Sequence, residues 1–181
     1  VCEVYPMNGR FFPSFSLLAA LTLPLVACGP ELVEFTDSNL EACARDALSI
    51  KKRDILPEDA AALQHLDCPA QNISDLGGIE YFVGLRTLNV WENDIKNLQP
   101  IAELTELQWL QLGFNQIVNL QPLTNLNKLE RLDVSENNIQ GIKVLSNLNK
   151  LQWLNLDGNR IDTVAPLSGL SNLTWLTLAH N

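Results

Sequence analysis

Basic residues are scarce in this chain: 12 lysines and arginines stand against 21 aspartates and glutamates, for a formal charge of −9. That balance opposes the counterion release that drives most nucleic-acid binding, so DNA, RNA and bare anionic lipid are poor ligands for it. Histidine occurs only at His65 and His180, with no second histidine or cysteine at ligand spacing, and no Cys-x-x-Cys pair is present. The expectation is no metal and no cofactor. Four cysteines, Cys2, Cys28, Cys43 and Cys68, are too few and too scattered for a disulfide-stapled miniprotein. Also missing are a Ser/His/Asp set, a glycine-rich phosphate loop and a facing carboxylate pair, so nothing points to an enzyme. No apolar run reaches the ~20 residues that a membrane-spanning helix needs. What remains, at 46% hydrophobic content, is enough apolar material for one folded unit.

The longest apolar run, Phe11 to Ala27, carries no charge, contains Pro13 and Pro24, and follows the single methionine Met7 and Arg10. Charged start, apolar stretch and small-residue end are the layout of a secretory signal. The run closes as Leu25-Val26-Ala27-Cys28, which resembles the lipobox of bacterial lipoproteins. The resemblance implies that Cys28 is lipidated and becomes the mature N-terminus, with residues 1–27 an upstream extension plus signal peptide and residues 28–35 a lipidated tether. Gly29 stands where the lipoprotein family carries an aspartate for inner-membrane retention. The implied address is therefore the cell envelope, at the outer membrane or cell surface.

From Leu63 onward the chain repeats every 22 residues, with block starts at Leu63, Leu85, Leu107, Leu129, Leu151 and Leu173. Positions 1, 4, 6, 11, 14, 17 and 20 of a block are apolar, as in Leu107, Leu110, Leu112, Ile117, Leu120, Leu123 and Leu126. Position 9 is asparagine in Asn93, Asn115, Asn137, Asn159 and Asn181, where an amide can satisfy backbone groups as the chain leaves a strand. Pro100, Pro122 and Pro166 recur at position 16, with Gly78 and Val144 as departures, which suits a short extended or 3₁₀ return instead of a long helix. One block cannot fold alone, because burying a side chain gains about 1.5–3 kcal/mol while every residue ordered costs about 1–2 kcal/mol. Stability therefore belongs to the stack.

This is the leucine-rich-repeat pattern, and the best-matched blocks resemble the bacterial internalin-like class. The implied fold is an α/β solenoid, a right-handed superhelix with parallel strands on its concave face. It comprises five complete repeats and one truncated repeat over residues 63–181. The last block stops at Asn181 in position 9, so further repeats or another domain are expected beyond it.

A solenoid's first strand needs a cover, and residues 36–62 have the composition of a helical N-terminal cap similar to that of internalins. Ser38 followed by Glu41 fits a capping box, with Leu40, Cys43, Ala47 and Leu48 at helical spacing. Pro57, Glu58 and Asp59 start a second short helix. Cys68, at position 6 of the first block, should point inward beneath the cap. In an oxidising compartment Cys43 and Cys68 could join as a disulfide tying cap to array, the alternative being two buried thiols.

Outward positions 3, 5 and 7 of the strand segment are where function can sit. Trp109, Trp153 and Trp175 hold position 3, and Trp91 holds position 7. Arg131 takes position 3 between Trp109 and Trp153, where strands about 4.8 Å apart let its guanidinium lie near either indole. Position 5 is a polar row of Asp67, Asn89, Gln111, Asp133, Asn155 and Thr177, and Glu92, Phe114, Glu136 and Asp157 add to the rim. Exposed aromatics and arginine beside short polar groups are the composition of binding hot spots. Trp91, Trp109, Gln111, Phe114, Arg131, Asp133, Trp153, Asn155 and Trp175 are thus the candidate surface for a protein or glycan partner. The resemblance implies a membrane-anchored recognition or adhesion module. The competing reading is the recognition arm of a larger enzyme or toxin.

Overall fold

The computed structural model describes residues 32–181. The signal, Cys28 and the first half of the expected tether, residues 28–31, lie outside the described residues. Two helices open the fold, α1 (Ser38–Leu48) and α2 (Pro57–Ala62), followed by six three-residue strands. The strands are β1 (His65–Asp67), β2 (Thr87–Asn89), β3 (Trp109–Gln111), β4 (Arg131–Asp133), β5 (Trp153–Asn155) and β6 (Trp175–Thr177). They form one open parallel sheet in chain order, and each pairs with the next in a register that matches the repeat, as in Leu66 with Leu88 and Leu88 with Leu110. Because register equals repeat length, equivalent residues stack into rows. The α/β leucine-rich-repeat solenoid expected from the sequence is therefore the fold.

Strand alternation sends position 4 inward, where Leu66, Leu88, Leu110, Leu132 and Leu154 form one buried row, while positions 3 and 5 face out. Cys68, Val90, Leu112, Val134 and Leu156 form the next buried row. Turns of 3₁₀ helix return the chain at Ile79–Tyr81, Gln99–Ile101, Gln121–Asn125, Lys143–Asn147 and Ala165–Leu167. Pro100, Pro122 and Pro166 occupy their first turns, where a missing N–H leaves no bond unmade. Val144 stands at the proline's place in Lys143–Asn147 and is buried. Gly78 has a steric reason: at φ 101° and with the Glu34 carbonyl 2.8 Å from where a Cβ would stand, only glycine fits.

Asn115 shows how the turns are stitched. Its Oδ1 accepts from the Ile95 amide (2.9 Å), and its Nδ2 donates to the carbonyls of Val90 (3.0 Å), Leu112 (3.1 Å) and Gly113 (3.2 Å). Asn93, Asn137, Asn159 and Asn181 repeat the arrangement, each bonding its own turn and the preceding repeat. The residue before each asparagine adopts left-handed φ, at Glu92 (55°), Phe114 (55°), Glu136 (49°) and Gly158 (63°).

The cap departs from expectation at its start. Asp37, not Ser38, is the N-cap, with Oδ1 accepting from the amides of Asn39 (2.9 Å) and Leu40 (3.2 Å). Glu41, expected to close a capping box, instead pairs with Arg45 one turn on at 2.8 Å. Asp37 won because its second oxygen has further partners across the cap: the Ser74 amide (2.9 Å) and hydroxyl (3.0 Å) and the Asp75 amide (3.3 Å). Burial alone raises the Asp37 carboxyl, but hydrogen bonds from Ser74, Leu40 and Asn39 outweigh it and hold the group below its ordinary value. The inward face of α1 carries Leu40 and Ala44, while Ala47 is exposed, one position from the expected stripe.

Helix α2 begins at Pro57 as expected, and the Asp59 carboxylate accepts from the Leu56 amide (3.0 Å) and pairs with Arg53 (2.5 Å). The Arg53 hydrogen bond is the main cause holding Asp59 down at about 2. Cys43 and Cys68 are joined as a disulfide across a Cα separation of 6.0 Å, fastening α1 to β1. The cap also recruits residues read from the sequence as tether: Val33 is buried and donates to the Ile55 carbonyl (3.0 Å), and Phe35 packs against Phe82 at 6.1 Å.

Candidate functional site

Strand pleating fixes the outward rows, and in-phase pairing sets Trp109 beside Arg131, Arg131 beside Trp153, and Trp153 beside Trp175. Side chains then resolve that row into two pairs. The Arg131 Cζ lies 5.4 Å from the Trp109 ring centroid, a cation–π contact. Trp153 and Trp175 stack with centroids 4.3 Å apart and planes 2° from parallel. The sequence left Arg131 a choice of indoles, and it takes Trp109 while Trp153 associates with Trp175. A cleft of about 380 Å³ opens here, lined by Trp109, Gln111, Arg131, Asp133 and Trp153. Trp109 remains 37% exposed and Trp175 40%, large apolar groups held at the surface.

The polar row beneath has work within the fold. Asn89 Oδ1 accepts from the Trp91 amide (3.0 Å), Asp133 Oδ1 from the Ser135 amide (2.9 Å) and Asn155 Oδ1 from the Asp157 amide (3.1 Å). These are Asx turns that take the chain off each strand. Neighbours also bond along the row, with Asn89 Nδ2 donating to Asp67 (2.6 Å) and the Thr177 hydroxyl to Asn155 (2.7 Å). Asp133 and Asn155 therefore lie on the candidate face with their oxygens engaged. Gln111 makes no side-chain hydrogen bond among the described residues and is the polar group of the cleft with an uncommitted amide.

Trp91 and Phe114 stand apart from the cleft. They meet edge to face at 5.0 Å on the turns that follow β2 and β3, with Phe114 48% exposed. Gly113 makes room for this pair, because a Cβ there would be 2.9 Å from Trp91 Cδ1. The nine candidate residues thus form a cleft, an indole stack on its flank and a separate aromatic pair on the rim.

A second cavity, of about 470 Å³, was not foreseen: it lies between α1 and β1 and is lined by Ala42, Cys43, Asp46, Ala47, His65, Asp67 and Gln71. The disulfide between Cys43, on its wall, and Cys68 joins the two elements that enclose it. Among the described residues no group of three or more His, Cys, Asp or Glu side chains is arranged to hold a metal. Away from the outward face, Lys128 donates to Glu106 (2.6 Å) between equivalent positions of adjacent repeats, and that bond lowers the Glu106 carboxyl.

Comparison with known proteins agrees with this geometry. Models described as leucine-rich repeat match residues 105–161 and 150–173. The structure superposes on the internalin InlF of Listeria monocytogenes with a TM-score of 0.81 at 29% identity, covering 86% of this chain and 47% of that one. It superposes on the functional domain of InlJ from the same organism, described as including a cysteine ladder, with a TM-score of 0.76 at 29% identity over 81% of this chain and 32% of that one. A leucine-rich-repeat protein of Leptospira interrogans gives a TM-score of 0.60 at 25% identity, covering 66% of this chain and 33% of that one. The chain therefore spans less than half the length of these structures. No protein of curated function matches it. A repeat-matched parallel sheet, an asparagine at the exit of five of the six strands and a disulfide-fastened helical cap together make the chain a leucine-rich-repeat solenoid similar in structure to the internalins.

Proposed function

We propose that the chain is an exported recognition module, anchored to a membrane through a lipid on Cys28, that binds a partner protein by the outward face of its sheet. One observation carries the binding half: the cleft of Trp109, Arg131 and Trp153, in which large rigid groups stay at the surface although the fold has a complete core without them. Rigid aromatics and a stacked arginine lose little rotamer freedom on docking, so they contribute disproportionately to affinity. The face does no chemistry in this reading, and its polar row serves to hold the aromatic row in place. The export half rests on the Leu25-Val26-Ala27-Cys28 segment, which the described residues do not include.

The test replaces Trp109, Arg131 and Trp153 together with alanine and compares affinity capture with that of the unaltered protein. Loss of a captured protein, with circular dichroism and melting unchanged, is the expected result. Equal capture by both refutes the site.

A further inference from the structure

We propose that the cleft selects a carboxylate side chain of the partner protein, an aspartate or glutamate, paired in a fork with the Arg131 guanidinium. This deepens the proposed function and rests on the reading of this face as partner-binding.

Arg131 is exposed, yet its guanidinium donates no hydrogen bond and joins no ion pair among the described residues; it lies over the Trp109 ring. The three ion pairs among the described residues engage basic groups away from this face: Arg45 with Glu41, Arg53 with Asp59, and Lys128 with Glu106. Asp133 is the acid on the same strand that faces the cleft, and it does not neutralise Arg131. Its Oδ1 accepts from the Ser135 amide (2.9 Å) and hydroxyl (2.6 Å), and its Oδ2 from Asn155 Nδ2 (3.4 Å). The indole orients the guanidinium plane while leaving its in-plane N–H donors open, the arrangement that bidentate carboxylate recognition needs.

Charge narrows the ligand further. Across positions 3, 5, 7 and 8 of the repeats, Arg131 is the one lysine or arginine, amid Asp67, Asp133, Asp157, Glu92 and Glu136 in a chain of net charge −9. A single cation so surrounded matches one monoanion, and a dianionic phosphate would meet more repulsion than attraction. A side chain also fits better than a sugar ring, because Trp153 and Trp175 cover one face of each other and Arg131 covers one face of Trp109. The uncommitted Gln111 amide, on the same wall, offers the carboxylate's neighbouring backbone a second polar contact.

Random peptides displayed on phage, selected on the purified protein with its disulfide intact, test this directly. Selected peptides are resynthesised with each Asp or Glu changed to Asn or Gln. The expected result is enrichment of acidic residues and at least a tenfold loss of affinity on removing one carboxylate. The same change should cost little against Arg131→Gln, and Arg131→Lys should recover binding only in part. Peptides that lose binding in Trp109→Ala but bind equally as acid and amide overturn the carboxylate assignment and leave the face as the binding surface. Peptides indifferent to both Trp109→Ala and Arg131→Gln overturn both readings. Arg131-dependent binding of polyuronate oligosaccharides, by a protein that ignores the acidic peptides, also overturns the side-chain assignment.

Discussion

Removing the Asp37 carboxylate should loosen the cap on the array, within the tether of the Cys43–Cys68 disulfide, before the array itself melts. In Asp37→Ala, α1 loses its N-cap acceptor for Asn39 and Leu40, worth about 1–2 kcal/mol. The turn at Ser74 and Asp75 loses three more hydrogen bonds, at about 1 kcal/mol each for the net contribution. Solvent reaches part of the site and replaces some of these, so the expected cost is about 2–4 kcal/mol. Asp37→Asn keeps one acceptor but turns an NH₂ donor toward amide donors, and should fall between the two. The acid dependence has a definite sign. A carboxyl held below its ordinary value contributes fully above the unfolded value, about 3.9, and loses that contribution as pH falls through the folded one. The native protein should therefore lose cap stability below about pH 4, and Asp37→Asn should show less of that slope. Since a solenoid can open from one end, hydrogen exchange of the α1 amides is the appropriate readout, with urea titration at pH 7 and pH 3 beside it. Native-like α1 protection in Asp37→Ala, with less than about 0.5 kcal/mol lost overall, would show that Asp37 does not fasten the cap.

Three other expectations can be checked. Replacing Cys43 and Cys68 with serine opens a loop of sequence separation 25 and should cost about 3 kcal/mol, read as a lowered urea midpoint that reductant no longer changes. Asn115→Leu leaves the buried Ile95 amide without its partner, while the Val90 and Leu112 carbonyls lose one of two donors and keep Asn93 and Asn137, so a loss of about 1–3 kcal/mol in chemical denaturation is expected; a change under about 0.5 kcal/mol would contradict a stitching role. Cys28→Ala, expressed in a bacterium with lipoprotein processing, should no longer incorporate labelled fatty acid, and retained label would remove the anchor from the proposed function.

The repeats were legible because one rule governs them: an apolar residue every time the strand or return faces inward, and an asparagine where each strand after the first ends. The start of the second helix was equally plain, since Pro57 fixes a helical φ and has no N–H to leave unbonded in the first turn. The N-cap was misread because Ser38 and Glu41 satisfy a local pattern, whereas the deciding partners of Asp37, at Ser74 and Asp75, are 37 and 38 residues away in sequence. Local patterns cannot weigh such contacts. Within the site, periodicity placed Trp109, Arg131, Trp153 and Trp175 in one row, but equal spacing on both sides of Arg131 left its choice of indole open until the Trp153–Trp175 stack settled it. The cavity between α1 and β1 had no sequence signal, since it depends on the angle at which the cap meets the sheet.

The turn after every strand has positive φ at position 8 of the repeat, and five of the six residues there are not glycine: Ala70, Glu92, Phe114, Glu136 and His180. Each costs about 1 kcal/mol in backbone strain that glycine would avoid, and none of the five adds to the buried core. An array with glycine throughout this column would be sturdier and blank along that edge. Glu92, Phe114 and Glu136 are therefore the portion of each turn that folding does not require. Exchanging them offers a way to alter what the molecule displays to its surroundings while the leucine interior stays as it is.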